Sequence, residues 1–117
     1  MDFATLAALP LRNVHQVVLP RRGFVVHVRE LLGIEALQLR ERISAITNIT
    51  EAEGQAASMA VQIAAFLCDE NGASVCNVEQ ARQLVEVWYP PDLVEVIKAG
   101  NTINGADDQA VEEIGRA

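Results

Sequence analysis

The residues that could support chemistry in this sequence are two histidines, two cysteines and many carboxylates. His15 and His27 lie in two neighbouring runs of β-branched residues, where a cross-strand histidine pair could bind a metal ion. The sequence places neither a cysteine nor an acid to complete that ligand set. Cys68 and Cys76 are too few for a disulfide framework, and their spacing does not match a metal-ligand pattern. We therefore expect no metal site.

Motifs for catalysis or cofactor binding are equally weak. Residues 69–72 resemble a calcium loop only loosely, because the glycine comes too early and Gln80 stands where the bidentate glutamate belongs. The serines have no neighbouring histidine and no nucleophile-elbow motif, and the sequence contains no glycine-rich phosphate loop. We expect no cofactor and no enzymatic activity. An enzyme subunit whose site is completed by a partner chain remains an alternative.

Length and composition narrow the class of protein. The 117 residues predict one domain, 1–117, and half of them are apolar with few aromatics, so the core should be aliphatic. The net charge of −7 and the scattered cations argue against nucleic-acid binding. The uncharged stretch at residues 54–68 is too short to span a bilayer, and no signal-peptide pattern is evident. We expect a cytoplasmic protein that binds neither nucleic acid nor membranes.

A predicted helix at residues 51–70 organises the chain. Its polar side chains recur at helical spacing in one narrow stripe, so its other faces should be buried. These polar side chains are Glu51, Gln55, Ser58, Gln62 and Asp69. Thr50 and Glu53 predict a capping box at its start, and residues 69–72 predict its end. We expect a buried central helix.

The remaining elements predict a mainly α fold. Two β-branched runs, at residues 14–19 and 24–28, flank Pro20-Arg21-Arg22-Gly23 and predict a β-hairpin. A lone hairpin is marginal in water, so it should pack on a helix, pair with another chain or stay partly disordered. Further helices are predicted at residues 33–46, 78–88, 92–99 and 107–114. The expected architecture is a compact bundle of about five helices (residues 33–115) with a short N-terminal hairpin (residues 14–28).

Some residues of these elements carry specific expectations. At helical spacing, Ile34 and Leu37 should face the core, and Glu35 should face solvent. Val75 should fold back onto the core after the turn that follows the central helix. Gly100 should end the helix that begins at residue 92. Asn77 and Gln80 should form a capping box at the start of the helix at residues 78–88.

Two surfaces are candidates for binding a partner protein. One is the tip of the hairpin, where Arg21, Arg22 and Phe24 combine cations with an aromatic ring, as interface cores do. The other is Trp88 and Tyr89 before a rigid proline pair, since these residue types are frequent among binding hot spots. For Trp88, packing in the core is the competing interpretation.

The order of several motifs resembles a known family. In chain order these motifs are LPRRGFVVHVREL, GIEALQLRERI, FLCDENGASVC, NVEQARQLVEVW and INGADDQAVEEI. Their order and spacing, over about residues 14–115, are similar to the tail assembly chaperones of long, non-contractile-tailed phages and prophages. The paired Arg21 and Arg22 depart from that pattern, in which smaller residues are common at the hairpin turn.

This resemblance implies a non-enzymatic role in the assembly of phage tails. Such a chaperone binds the tape measure protein, keeps it soluble, and helps the tail tube protein polymerise around it. It self-associates as a homo-oligomer in the cytoplasm of the bacterial host and is absent from the mature virion. Two other readings of the sequence remain: a different phage morphogenesis factor, such as a head–tail connector component, and a small helical regulatory or interaction module.

Overall fold

The structure is a computed structural model that describes residues 1–8 and 12–105. Over these residues it confirms a mainly helical fold with five helices and a hairpin near the N-terminus, to which it adds a third short strand. In chain order the elements are α1 (Phe3–Ala7), β1 (Val14–Val18), β2 (Val25–Arg29), α2 (Gly33–Ser44), α3 (Ala52–Phe66), β3 (Leu67–Cys68), α4 (Val78–Val87) and α5 (Pro90–Ile103). The helix predicted at residues 107–114 lies outside the described residues. Within the described part of the chain, every helix is too short or too polar to cross a membrane.

The central helix is α3, which packs against α2, α4 and α5. Ala60 and Ile63 are almost completely buried, whereas Gln55 on the predicted polar stripe is exposed. Gln62 is half-buried and donates hydrogen bonds to the carbonyl and hydroxyl of Ser58, one turn earlier. The expected capping box at the start is wrong, because the helix begins after Glu51 without a side-chain cap.

The central helix ends at Phe66 and not at residue 70, because the next two residues form a strand. Leu67 and Cys68 continue as β3 and pair antiparallel with Val28 and His27 of β2. Arg29 stabilises this change of direction: its Nε donates to the carbonyl of Ala65 at 2.9 Å, and its Nη1 donates to the carbonyl of Gly72 at 3.1 Å. A charged donor thus satisfies a carbonyl that the end of a helix would otherwise leave unpaired.

The predicted hairpin is confirmed, with Val14 opposite Arg29 and Val18 opposite Val25. The sheet order is β1-β2-β3, and α5 packs against β1 and β2. The hairpin is therefore supported both by a third strand and by a helix. The same register places His15 opposite Val28 and His27 opposite Gln16. Because side chains alternate between faces along a strand, the two histidines lie on opposite faces, and the idea of a histidine pair is wrong.

Helix α2 is rotated relative to the sequence prediction. Ile34 and Leu37 are each 59% exposed, while Glu35 turns inward. Its carboxylate accepts hydrogen bonds from Arg12 Nη1 at 2.8 Å and from the Leu32 N–H at 2.7 Å, and Arg29 lies 3.6 Å away. Burial alone would raise the pKa of Glu35, but these donors and the two guanidinium charges together hold it below its usual value.

The N-terminal ends of α4 and α5 agree with their local sequence signals. Asn77 caps α4, and the predicted capping box with Gln80 is present. The two prolines fill the first turn of α5, where a missing N–H costs nothing. Gly100 was expected to end this helix, but α5 continues to Ile103. Val75, expected to pack on the core, is 50% exposed.

Packing, and not helix termination, explains the glycine at position 100: it is buried, and the ring of Phe66 occupies the space that a Cβ would need. Phe66 is itself only 2% exposed. The closest approach of α5 to α3 therefore depends on a glycine at this position. A side chain here must displace a buried aromatic ring or push the two helices apart.

Gly100→Ala should lower the free energy of unfolding, although alanine is the better helix former by about 1 kcal/mol. Overpacking a buried site typically costs about 1–3 kcal/mol, which exceeds that gain. Gly33→Ala is the matched control, because a Cβ at Gly33 meets no atom within 4 Å. Chemical denaturation should show a loss for the first variant and not for the second. Equal stability of the two variants would contradict the packing of α5 on Phe66.

Candidate protein-interaction site

The hairpin turn is built by residues 20–23. Leu19 N–H donates to the carbonyl of Phe24 at 3.0 Å, and Gly23 N–H donates to the carbonyl of Leu19 at 2.8 Å. Gly23 has a φ of +77°, a left-handed conformation that a side chain would disfavour. Leu19 is completely buried, so the turn is anchored in the core immediately before it leaves the sheet.

The turn lies against the junction between α4 and α5, where five side chains meet. The guanidinium of Arg21 lies 4.9 Å from the centre of the Tyr89 ring, and that of Arg22 lies 5.7 Å from the centre of the Trp88 ring. The rings of Phe24 and Trp88 pack edge to face, with centres 6.3 Å apart. We call Arg21, Arg22, Phe24, Trp88 and Tyr89 the tip cluster. The two surfaces proposed separately from the sequence are thus one surface.

A buried carboxylate holds the turn in this position. Asp92, in the first turn of α5, is completely buried, and its Oδ1 accepts a hydrogen bond from the Arg21 N–H at 2.8 Å. Its Oδ2 has no hydrogen-bond partner among the described residues. The positive end of the helix dipole favours a carboxylate at this place. Arg22 adds a second link, since its Nη2 donates to the carbonyl of Val87 at 3.0 Å.

The tip cluster remains accessible although its members contact one another. Tyr89 is 60% exposed and Phe24 is 48% exposed, and both arginines are exposed. Trp88 is half-buried and packs on the core, so the core-packing interpretation accounts for part of its ring only. The arrangement offers aromatic faces and two cations, which suit an apolar partner that also carries carboxylates.

An apolar groove between the sheet and α4 continues from this cluster. Its lining includes Val26, Leu67, Leu84 and Trp88, so the tryptophan belongs to both the groove and the cluster. Val87, at the groove, is 60% exposed. The groove could not be found from the sequence, because its walls come from elements that are distant in sequence. The anchoring role of Asp92 was also not predicted, although the Pro-Pro-Asp start of α5 was an available signal.

This fold has a counterpart among solved structures. The chain matches the structure of the tail assembly chaperone of bacteriophage HK97 with a TM-score of 0.57. The match covers 89% of this chain and all of that chain, at 22% sequence identity. The two chains share a fold. No family model matches this sequence, and no curated protein matches it.

The two histidines and the two cysteines lie outside the tip cluster. Within residues 1–8 and 12–105, no group of three or more histidine, cysteine or acidic side chains is placed to hold a metal ion. Cys68 is buried and Cys76 is half-buried, and burial raises the pKa of both thiols. The turn after β3 is held by Asp69, whose carboxylate accepts the N–H groups of Asn71 and Ala73. The tip cluster with its groove is therefore the candidate interaction site, because it unites the residues that the sequence indicated.

Asp92→Ala should loosen the hairpin turn, because it leaves the Arg21 N–H without its buried acceptor. Such a loss costs about 1–3 kcal/mol of stability. Asp92→Asn should cost less, since it keeps an oxygen acceptor of the same shape. Chemical denaturation gives the stabilities, and Trp88, the single tryptophan, reports the environment of the tip by its fluorescence. A native-like stability and emission for the alanine variant would contradict the anchoring role.

Proposed function

We propose that this chain is a phage tail assembly chaperone that binds the tape measure protein, keeps it soluble, and promotes polymerisation of the tail tube protein around it. The fold shared with the HK97 tail assembly chaperone supports this role. The order of motifs over residues 14–115 supports it independently. In this proposal the protein acts in the cytoplasm of a bacterial host, catalyses no reaction and is absent from the mature virion.

The tip cluster and its groove are the proposed contact for the tape measure protein. The apolar walls formed by Val26, Leu84 and Val87 can accept the apolar face of an amphipathic helix. Arg21 and Arg22 border that surface and can pair with carboxylates on the same helix. Large rings and arginines of this kind carry most of the binding energy in many interfaces.

Co-expression with the tape measure protein tests this contact. The native chain should keep the tape measure protein in the soluble fraction. Arg21→Glu with Arg22→Glu should weaken that effect, because it replaces the two cations proposed to pair with carboxylates of the client by acids that would repel them, and it removes both cation–aromatic contacts.

The matched control is Arg40→Glu with Lys98→Glu, which reverses two exposed cations away from the tip cluster. Both double variants change the net charge equally, so a general charge effect would appear in both. If the Arg21→Glu, Arg22→Glu variant keeps as much tape measure protein soluble as the native chain does, the tip cluster is not the contact. Failure of the native chain to bind or solubilise the tape measure protein would contradict the chaperone role itself.

Self-association is the second part of the proposal. Within the described chain β1 pairs only with β2, so its other edge is open. The alternation of an antiparallel ladder turns the backbone N–H groups of Gln16 and Val18 towards this edge. Val18 and Val25 face each other across the hairpin and are 62% and 48% exposed. An open edge beside exposed apolar residues favours pairing with a strand of a second copy.

Gln16→Pro should weaken self-association, because it removes an outward N–H without breaking the bonds between β1 and β2. Gln16→Ala keeps that N–H and is the matched control. Light scattering over a range of micromolar concentrations should show oligomers for the native chain and for the alanine variant. A native chain that stays monomeric, or a proline variant that associates equally well, would contradict pairing at this edge.

A further inference from the structure

A second groove adjoins the apolar groove beside the tip cluster, which we call the tip groove. The second groove runs between α2 and the start of α4, over the middle of α3, and has a volume of about 770 Å³. Ala64 and Ala65 of α3 line it, together with Leu39 of α2 and Val78 of α4. Because these alanine side chains are small, they leave a recess with aliphatic walls in which an apolar element can pack.

The two grooves meet at the segment that leads into α4. Val75, Cys76 and Gln80 line both of them. Val75 is 50% exposed at this junction, and Cys76 beside it is half-buried. A ligand can therefore pass from one groove into the other across an apolar side chain. This position also accounts for a valine that lies at the surface and not in the core.

The junction is held in place although Val75 itself is exposed. Ser74 pairs with Cys68 of β3, and its hydroxyl donates to the carbonyl of Cys76 at 3.1 Å. The preceding turn is tied to the carboxylate of Asp69, which accepts two backbone N–H groups. Val75 is thus presented on a supported backbone, and a preformed apolar contact costs less conformational entropy when a partner binds.

Unpaired cations are concentrated on this surface, although the chain has a net charge of −7. Arg21 and Arg22 border the tip groove, and Arg42 lines the second groove at α2. Among the described residues, the cations that take part in no ion pair are Arg21, Arg22, Arg40, Arg42 and Lys98. Three of these five thus stand along the two grooves.

The acids that line the second groove do not cancel this positive charge. Glu35 is paired with both Arg12 and Arg29, so this group carries a net positive charge. Glu79 is exposed in the first turn of α4 and adds a single negative charge. The combined surface is therefore positive and favours a partner that carries carboxylates.

We propose that the tip groove and the second groove form one binding surface, and that a single amphipathic helix of the client occupies both. The tip groove follows α4 from Gln80 to Trp88, which is about 12 Å or roughly two helical turns. A client helix that continues into the second groove is therefore longer than this. It carries an apolar stripe along its whole length, with carboxylates near the tip cluster at one end and near Arg42 at the other. This inference rests on the proposed function and adds the length and the charge pattern of the client.

Thiol protection in the complex with the tape measure protein tests how far the client extends. Each chain carries Cys68→Ala and Cys76→Ser, so that one introduced cysteine is its only thiol. Val87→Cys reports the tip groove, and Gln38→Cys reports the second groove. Arg40→Cys is the matched control, because Arg40 is exposed on α2 and lines neither groove.

The readout is the rate of labelling by a bulky maleimide, free and in the complex. When about nine-tenths of the chain is bound, a covered thiol should react about tenfold more slowly than in the free chain, because only the free fraction reacts. Circular dichroism of each variant checks that it is folded.

Two charge variants of the otherwise native chain test the far end without an introduced thiol. Arg42→Glu should weaken binding of the tape measure protein by about threefold or more, because an ion pair is lost and a repulsion takes its place. Arg40→Glu makes the same charge change on the same helix, outside the groove, and should bind as the native chain does.

Protection of Val87→Cys and Gln38→Cys but not of Arg40→Cys, with weaker binding of the Arg42→Glu variant alone, is the result expected. Protection of Val87→Cys alone means that the client ends in the tip groove, which overturns the inference and leaves the proposed function intact. Equal protection of Gln38→Cys and Arg40→Cys, or equal affinities of the two charge variants, means that the second groove is not the contact. A native chain that does not bind the tape measure protein contradicts the proposed function itself.

Discussion

The early end of the central helix is the constraint on which the rest of the structure depends. At Phe66 the chain leaves the helix and becomes a strand, and the ring of Phe66 fills the space between α3 and α5. That ring requires a glycine at position 100, which sets how closely α5 can approach. The two residues after Phe66 turn an otherwise marginal hairpin into a three-stranded sheet. The position of the sheet on α5 then fixes where the hairpin turn lies.

The tip cluster is placed by burial and oriented by weaker contacts. Completely burying a leucine such as Leu19 contributes about 1.5–3 kcal/mol, whereas a cation–π contact at an exposed site contributes about 0.5–1 kcal/mol. The core and the buried Asp92 therefore hold the hairpin, and the exposed contacts of Arg21 and Arg22 add little to its stability. Those arginines can exchange their present contacts for those of a partner at small cost. A rigid support under adaptable side chains suits the partner-binding role proposed for this surface.

The sequence predicted the elements that depend on local signals. The hairpin, the central helix, and the capping box of Asn77 and Gln80 follow from periodicity and capping chemistry, and all are present. It did not predict β3, because Leu67 and Cys68 continue the apolar pattern of the helix and only pairing with β2 makes them extended. The prediction of which face of α2 is buried was wrong for a similar reason. The rotation of α2 follows the ion pairs of Glu35 with Arg12 and Arg29, which come from distant parts of the sequence.

The candidate site shows the same difference between local sequence signals and contacts that join distant parts of the chain. Residue types alone indicated Arg21, Arg22, Phe24, Trp88 and Tyr89, since cations and large rings are typical of interfaces. Their meeting on one surface could not be predicted, because it depends on Asp92 reaching across from α5 to the hairpin turn. The apolar groove beside them has walls from the sheet and from α4, so no single motif encodes it. The sequence thus indicated the residues of the candidate site but not the geometry that brings them together.

Hydrogen exchange on the complex with the tape measure protein tests the central claim most directly. The backbone amides of the free chain and of the complex are compared by mass spectrometry after matched exposure to heavy water. We expect binding to slow exchange at the hairpin turn, residues 19–25, and along the end of α4 and the residues after it, 84–89. Slower exchange confined to other surfaces, with those two segments unchanged, would contradict that claim.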